Sequence, residues 1–144
     1  MELALAEAKN SGEDVPVGCV VIFDGKIIGR GRNQREQLHD PTAHAEIVAM
    51  REAALSRSSW RLDGTILCVT LEPCPMCAEA IIQSRVKTVI FGAYDLIYGA
   101  TGSAFNLFTP NRTFPIPEIV GGIAEQQCKS LLQEFFKRQR ETKR

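Results

Sequence analysis

The chain has 144 residues, 44% of them apolar and 24% charged, with seventeen basic side chains balanced by seventeen acidic ones. That length suits one domain with a sizeable core, and the composition is that of an ordinary globular protein rather than a disordered or fibrous one. No apolar run approaches the ~20 residues needed to span a membrane. Residues 1–7 lack the basic start of a signal or transit peptide, and five cysteines, an odd number, suit a reducing compartment better than a disulfide framework. We therefore expect one domain over residues 1–144, cytoplasmic and free of membranes.

Met1 to Asn10 reads as a short first helix. Val15 to Ile28 reads as two strands turning at Asp24-Gly25, a strong hairpin signal. Asp40-Pro41 reads as a helix start, with Asp40 as N-cap and Pro41 at the first helical position. The helix then covers Ala43 to about Arg57, apolar at Ile47, Val48, Met50, Ala54 and Leu55. Thr65 to Leu71 is a nearly continuous apolar strand, and Pro75 to about Ser84 a helix whose first turn tolerates the proline. Val86 to Phe91 reads as another strand. Residues 92–114, rich in Gly, Asn, Thr and Pro, read as a long loop, and such loops in compact domains tend to be functional. Ile116 to Val120 reads as a short strand ended by Gly121-Gly122. Ile123 to about Arg140 reads as a helix striped by Ala124, Cys128, Leu131, Leu132 and Phe135. Strands alternating with helices predict an α/β layered fold with the ligand at one end of the sheet.

Charge is unevenly placed. Residues 137–144 hold five basic side chains and one acidic one, leaving residues 1–136 with twelve basic and sixteen acidic. A basic helix end on an acidic body suits a local polyanion contact. Taken by itself the charge is explained more simply by a solvated helix end, where cations favour the C-terminal dipole.

The most specific feature is a pair of short segments separated by 26 residues: His44-Ala45-Glu46 and Pro73-Cys74-Pro75-Met76-Cys77. They supply one imidazole, two thiols and one carboxylate. A catalytic zinc needs three protein ligands and an open position for water, and a zinc-activated water needs a neighbouring group to move its protons. Residues two apart on a helix do not share a face. His44 and Glu46 can therefore serve one metal only at a helix end, with Glu46 reaching the water. The competing readings are a structural zinc site or a redox Cys-x-x-C pair. A structural site needs a fourth ligand, for which Cys19, Cys68, Cys128 and His39 are the candidates. The three cysteines lie in apolar stretches where core packing explains them.

The joint pattern is the signature of the zinc nucleobase deaminases. On it the chain resembles the cytidine-deaminase-like superfamily, which implies a three-layer α/β/α fold around a mixed sheet of about five strands. Within that superfamily it looks like the bacterial-type tRNA-specific adenosine deaminases. The narrower resemblance rests on Asp14-Val15-Pro16-Val17-Gly18, Asn33, His39 to Glu46, Leu71 to Ala78, Phe91 to Asp95 and Gly99 to Ser103, and reaches Phe135-Phe136 and the basic tail.

What the resemblance implies is concrete. The family converts adenosine to inosine at the wobble position of a tRNA anticodon, chiefly of one arginine tRNA in bacteria. His44, Cys74 and Cys77 would hold one zinc ion per chain, and Glu46 would move protons between water, the adenine ring and the leaving ammonia. Asn33 and the backbone N–H of Ala45 would contact the flipped base, and Val17 and Leu71 would line its pocket. Asp95 would approach the ribose-phosphate chain. Phe136, Arg138 and Arg140 would touch the anticodon stem-loop, although Phe136 reads equally well as core. A homodimer would complete the RNA surface. The chain departs from the family at Tyr94, where some relatives have arginine, and at the apolar Leu96-Ile97-Tyr98. Either RNA contacts differ there, or Ile97 and Tyr98 pack on a dimer partner. Two rival readings stay open: a deaminase of a free base or nucleoside such as guanine or cytosine, which would need no basic terminal helix, and a non-catalytic RNA-binding subunit, which would not need Glu46.

Overall fold

A computed structural model describes residues 1–110 and 112–144; position 111, within the segment read as a loop, lies outside the described residues. The elements in chain order are α1 (Glu2–Ala8), β1 (Gly18–Phe23), β2 (Lys26–Arg32), α2 (Arg35–Leu38), α3 (Ala45–Arg57), β3 (Ile66–Leu71), α4 (Pro75–Gln83), β4 (Thr88–Ala93), β5 (Glu118–Val120) and α5 (Glu125–Thr142). The strands form one mixed sheet in the order β2-β1-β3-β4-β5. β1 runs antiparallel to both β2 and β3, and β3, β4 and β5 run parallel. The hairpin turns where expected, through Asp24 and Gly25 in left-handed conformation, at φ 51° and 75°.

Side-chain alternation along the strands sends each face to a different helical layer. Cys19 and Val21 of β1, Leu67 and Val69 of β3, and Val89 and Phe91 of β4 join Ala45, Ala49 and Ala53 of α3 and Ile81 of α4 in the main core. Val20 and Cys68 point the other way and pack with Ala4 of α1. Cys128 of α5 sits directly against Gly92 on that second face. The result is the expected three-layer α/β/α sandwich. Helix α3 lies so close to β2 that a side chain at Gly31 would collide with the backbone of Ala45 and Ala49. This seats the start of α3, and so His44, firmly on the sheet.

Several boundaries differ from expectation. Helix α3 starts at Ala45 rather than at Pro41, because the Asp40 carboxylate accepts from both the N–H and the hydroxyl of Thr42, at 2.8 and 2.7 Å, and holds residues 40–42 in a turn. Helix α2 was not expected. The buried Asp14 builds it by accepting from the N–H groups of Glu36 and Gln37, at 2.8 and 3.2 Å. Strand β2 continues to Arg32, while Val15–Val17 stay outside the sheet. Strand β4 runs from Thr88 to Ala93, later than Val86–Phe91, and β5 shortens to Glu118–Val120. Helix α5 begins at Glu125, after Ala124 in left-handed conformation. Among the described residues, no helix is long and apolar enough to cross a membrane.

Candidate active site

Strand direction gathers the site at one end of the sheet. Because β1 opposes β2 and β3, Val17 at its start lies beside Asn33 after β2 and Leu71 at the end of β3. β4 is parallel to β3, so Tyr94 and Asp95 emerge at the same end. Helices α3 and α4 both begin here, with His44 and Cys74 as their N-cap residues in extended conformation. Helix N-termini favour negative charge, which suits thiolate ligands.

His44 Nδ1 lies 3.5 Å from Cys74 Sγ and 3.4 Å from Cys77 Sγ. A tetrahedral zinc with ordinary Zn–S and Zn–N bonds places such atoms about 3.6 Å apart. The three ligand atoms lie within 4.8 Å of one another, and among the described residues no fourth metal-binding side chain joins them. Three ligands with one position open is the arrangement of a catalytic zinc site rather than a closed structural one. The Cys77 thiol donates to Cys74, which holds the Cys74 thiol down at about 4 and pushes that of Cys77 up. His44 is held above its ordinary range, chiefly by its hydrogen bond with Cys74. Cys19, Cys68 and Cys128 are all buried, and burial raises each thiol, so they behave as inert core residues. His39 does not join the cluster.

Glu46 is the second residue of α3 and only 4% exposed. His44, by contrast, is not helical, with φ −70° and ψ 155°. That break in the backbone lets two residues so close in sequence face one site. Burial pushes the Glu46 carboxyl up, and the neighbouring His44 only partly offsets it. A buried carboxyl beside a candidate metal position, raised above its ordinary range, is suited to taking up and returning protons.

Above the cluster opens a cavity of about 820 Å³. Val17, Asn33, Ala45, Leu71, Asp95 and Phe136 all line it, together with His44, Cys74 and Glu46. Ala45 is the first residue of α3, where an N–H has no intrahelical partner. Asn33 is buried, donating from Nδ2 to the Val15 carbonyl at 3.2 Å and accepting the Arg35 N–H at 3.4 Å. Asp95 accepts the N–H groups of Ile97 and Tyr98, each at 3.0 Å, and so shapes the turn that carries them. Phe136 is 46% exposed and faces the cavity, whereas its neighbour Phe135 is the buried one. Arg138 and Arg140 are exposed farther along α5 and are not part of the cavity wall.

Two residues of this site were not singled out in the sequence. Arg35 lines the cavity with its Nη1 3.5 Å from His44 Nε2. Glu72 is buried, and burial pushes its carboxyl up, but hydrogen bonds from Ser103, Thr101 and Asp95 outweigh that and hold it below the ordinary range. Its signal was a charged residue ending an otherwise apolar strand, just before Pro73-Cys74.

The family model for the cytidine and deoxycytidylate deaminase zinc-binding region matches residues 1–93. The chain is 42% identical to the tRNA-specific adenosine deaminase of Bacillus subtilis, over all of this chain and 91% of that one. A solved structure from work on A-to-I editing by tRNA:A34 deaminases is 42% identical and superposes with a TM-score of 0.87, covering 92% of this chain and 97% of that one. The guanine deaminase of Bacillus subtilis is also similar, at 32% identity and a TM-score of 0.64, covering 92% of this chain and 90% of that one.

Proposed function

The chain belongs to the zinc-dependent tRNA-specific adenosine deaminases, and we propose that it converts adenosine to inosine at the wobble position of an arginine tRNA anticodon. One observation carries the chemistry: three zinc-competent ligand atoms, with a buried carboxyl two residues from one of them, on the floor of a cavity large enough for a nucleotide. The reaction adds water at adenine C6 and releases ammonia. His44, Cys74 and Cys77 would hold the metal, which when bound lowers the pKa of a coordinated water toward ~7. Glu46 takes one proton from the attacking water and delivers it to the ring nitrogen beside C6, then moves the remaining proton of the added hydroxyl to the amine, which leaves as ammonia as the C6 carbonyl forms. Asn33 and the Ala45 N–H fix the base, while Val17 and Leu71 hold its faces in an apolar slot. Asp95 and Phe136 meet the flanking nucleotides, and Arg138 and Arg140 the phosphates of the stem.

A base in a single-stranded loop is reached without breaking a pair, which suits an anticodon as target. Residues 1–144 act as one deaminase domain, in the cytoplasm and as a homodimer; light scattering of the pure protein checks the assembly. The decisive test is a substrate panel: an unmodified arginine tRNA with anticodon ACG, free guanine and free cytosine. Inosine at the wobble position with no turnover of the free bases supports the proposal. Turnover of a free base alone replaces it with the base-deaminase reading.

A further inference from the structure

We propose that Glu72 is a positioning residue for RNA binding: its buried carboxylate fixes the Tyr94–Ser103 loop, whose Tyr94–Tyr98 part lines the cavity, relative to the strand end that leads to the candidate metal ligand Cys74. The inference rests on the proposed tRNA substrate and adds a residue to that site.

Glu72 is 2% exposed, yet no Lys or Arg among the described residues pairs with it. Its compensation comes entirely from one loop. Oε1 accepts the Asp95 N–H at 3.1 Å and the Ser103 hydroxyl. Oε2 accepts the Thr101 N–H at 3.0 Å, the Thr101 hydroxyl at 2.7 Å and the Ser103 N–H at 3.4 Å. The backbone on either side joins the same loop to the strand end: the Glu72 N–H donates to Ala93, and the Ala100 N–H donates to Pro73, each at 2.8 Å. Gly99 lies so close that any side chain there would overlap the Glu72 carboxyl. The loop is therefore wrapped around a single acceptor group.

The chemistry requires a carboxylate. Three of the five donors are backbone N–H groups, which cannot turn into acceptors as hydroxyls can. They are divided between the two oxygens. An amide in place of the carboxylate must set its own NH2 against at least one of them. Asp95, one of the residues so held, in turn accepts the N–H groups of Ile97 and Tyr98, and all three line the cavity together with Tyr94. Cys74 and Cys77, by contrast, are fixed by the start of α4. Loosening Glu72 should therefore shift the wall that meets RNA and leave the metal floor in place.

The test compares Glu72→Gln with the variant Thr101→Val/Ser103→Ala, which removes the two hydroxyl donors while keeping the carboxylate. Measurements are KM and kcat for inosine formation in tRNA, zinc per chain, and amide hydrogen exchange. We expect Glu72→Gln to raise KM about tenfold with kcat changed less than about threefold. Zinc should stay at one per chain, and exchange should quicken across residues 95–103 but not in α4. The double variant should move the same quantities in the same direction. Unchanged KM and exchange in Glu72→Gln, or a loss of kcat and zinc with KM unchanged, would overturn the assignment. A wild type that leaves tRNA unconverted overturns the proposed function instead, and the exchange pattern alone then decides whether Glu72 positions the wall.

Discussion

His44, Glu46, Cys74 and Cys77 come from two helix starts seated on a five-stranded sheet, whereas Tyr94 to Tyr98 come from a loop gathered around one buried carboxylate. The floor of the cavity is buried at Glu46 and Cys77 and half-buried at His44 and Cys74. The rim is exposed and apolar, with Leu96 80%, Ile97 72% and Tyr98 61% exposed. Secondary structure holds the floor, since both helix starts are seated against the sheet. Long-range hydrogen bonds fix the rim, and a rim built that way can change its side chains without disturbing the chemistry below. Floor and rim should therefore separate in kinetics: kcat belongs to the first, KM to the second.

The largest effect is expected at the floor. Cys74→Ser should reduce zinc from one ion per chain toward none and abolish deamination, while Cys128→Ser should keep both; metal analysis of the purified variants checks this. Retention of zinc by Cys74→Ser would break the ligand assignment. A smaller effect is expected at the rim. Tyr98→Ala should raise KM for tRNA about threefold to tenfold with little change in kcat, as for a lost aromatic contact to an unstacked base. A normal KM coupled to a dimer that dissociates would assign Tyr98 to the partner surface.

How far the sequence announces each region follows from the same contrast. The floor was legible because helix caps and metal-binding residue types are local: Cys74-Pro75 marks the start of α4, and the three side chains that gather into one candidate metal site were named from two short segments. The sheet was legible from apolar runs, and the split of Cys19 and Cys68 onto opposite faces follows from strand alternation. The start of α3 was misplaced by four residues because Asp40 and Pro41 carry helix-start chemistry, yet the Asp40 side chain is consumed by Thr42. Helix α2 was missed because its cap, Asp14, lies more than twenty residues upstream. Glu72 was missed for the same reason: its partners are 23 to 31 residues away. Interactions closed by tertiary contact leave little trace in local pattern.

The two smallest effects lie outside floor and rim. Arg138→Ala/Arg140→Ala should weaken tRNA binding uniformly and lower the slope of log affinity against log salt by about one per cation that contacts phosphate. An unchanged slope would return the basic helix end to a solvated role. The Arg112–Glu79 pair joins the long loop to α4 away from the cavity. Its hydrogen bond to Arg112 holds the Glu79 carboxyl below the ordinary carboxylate range. Stability from this pair is therefore fully present above that ordinary range and disappears as pH falls through the lowered value. Arg112→Gln should lower Tm slightly at neutral pH, lose that difference in acid, and leave kcat and KM unchanged. Thermal melts across pH, beside neutral kinetics, check all three.

The central claim is that the floor supplies chemistry separately from binding, and Glu46→Gln tests it most directly. Single-turnover inosine formation and equilibrium tRNA binding should be measured on the wild type and this variant at equal zinc content. The account predicts a rate lower by about 10²–10⁴, with affinity within about twofold and zinc still at one per chain. A variant that keeps its rate, or that loses tRNA binding or zinc along with it, would contradict the assignment of Glu46 as the proton-moving group.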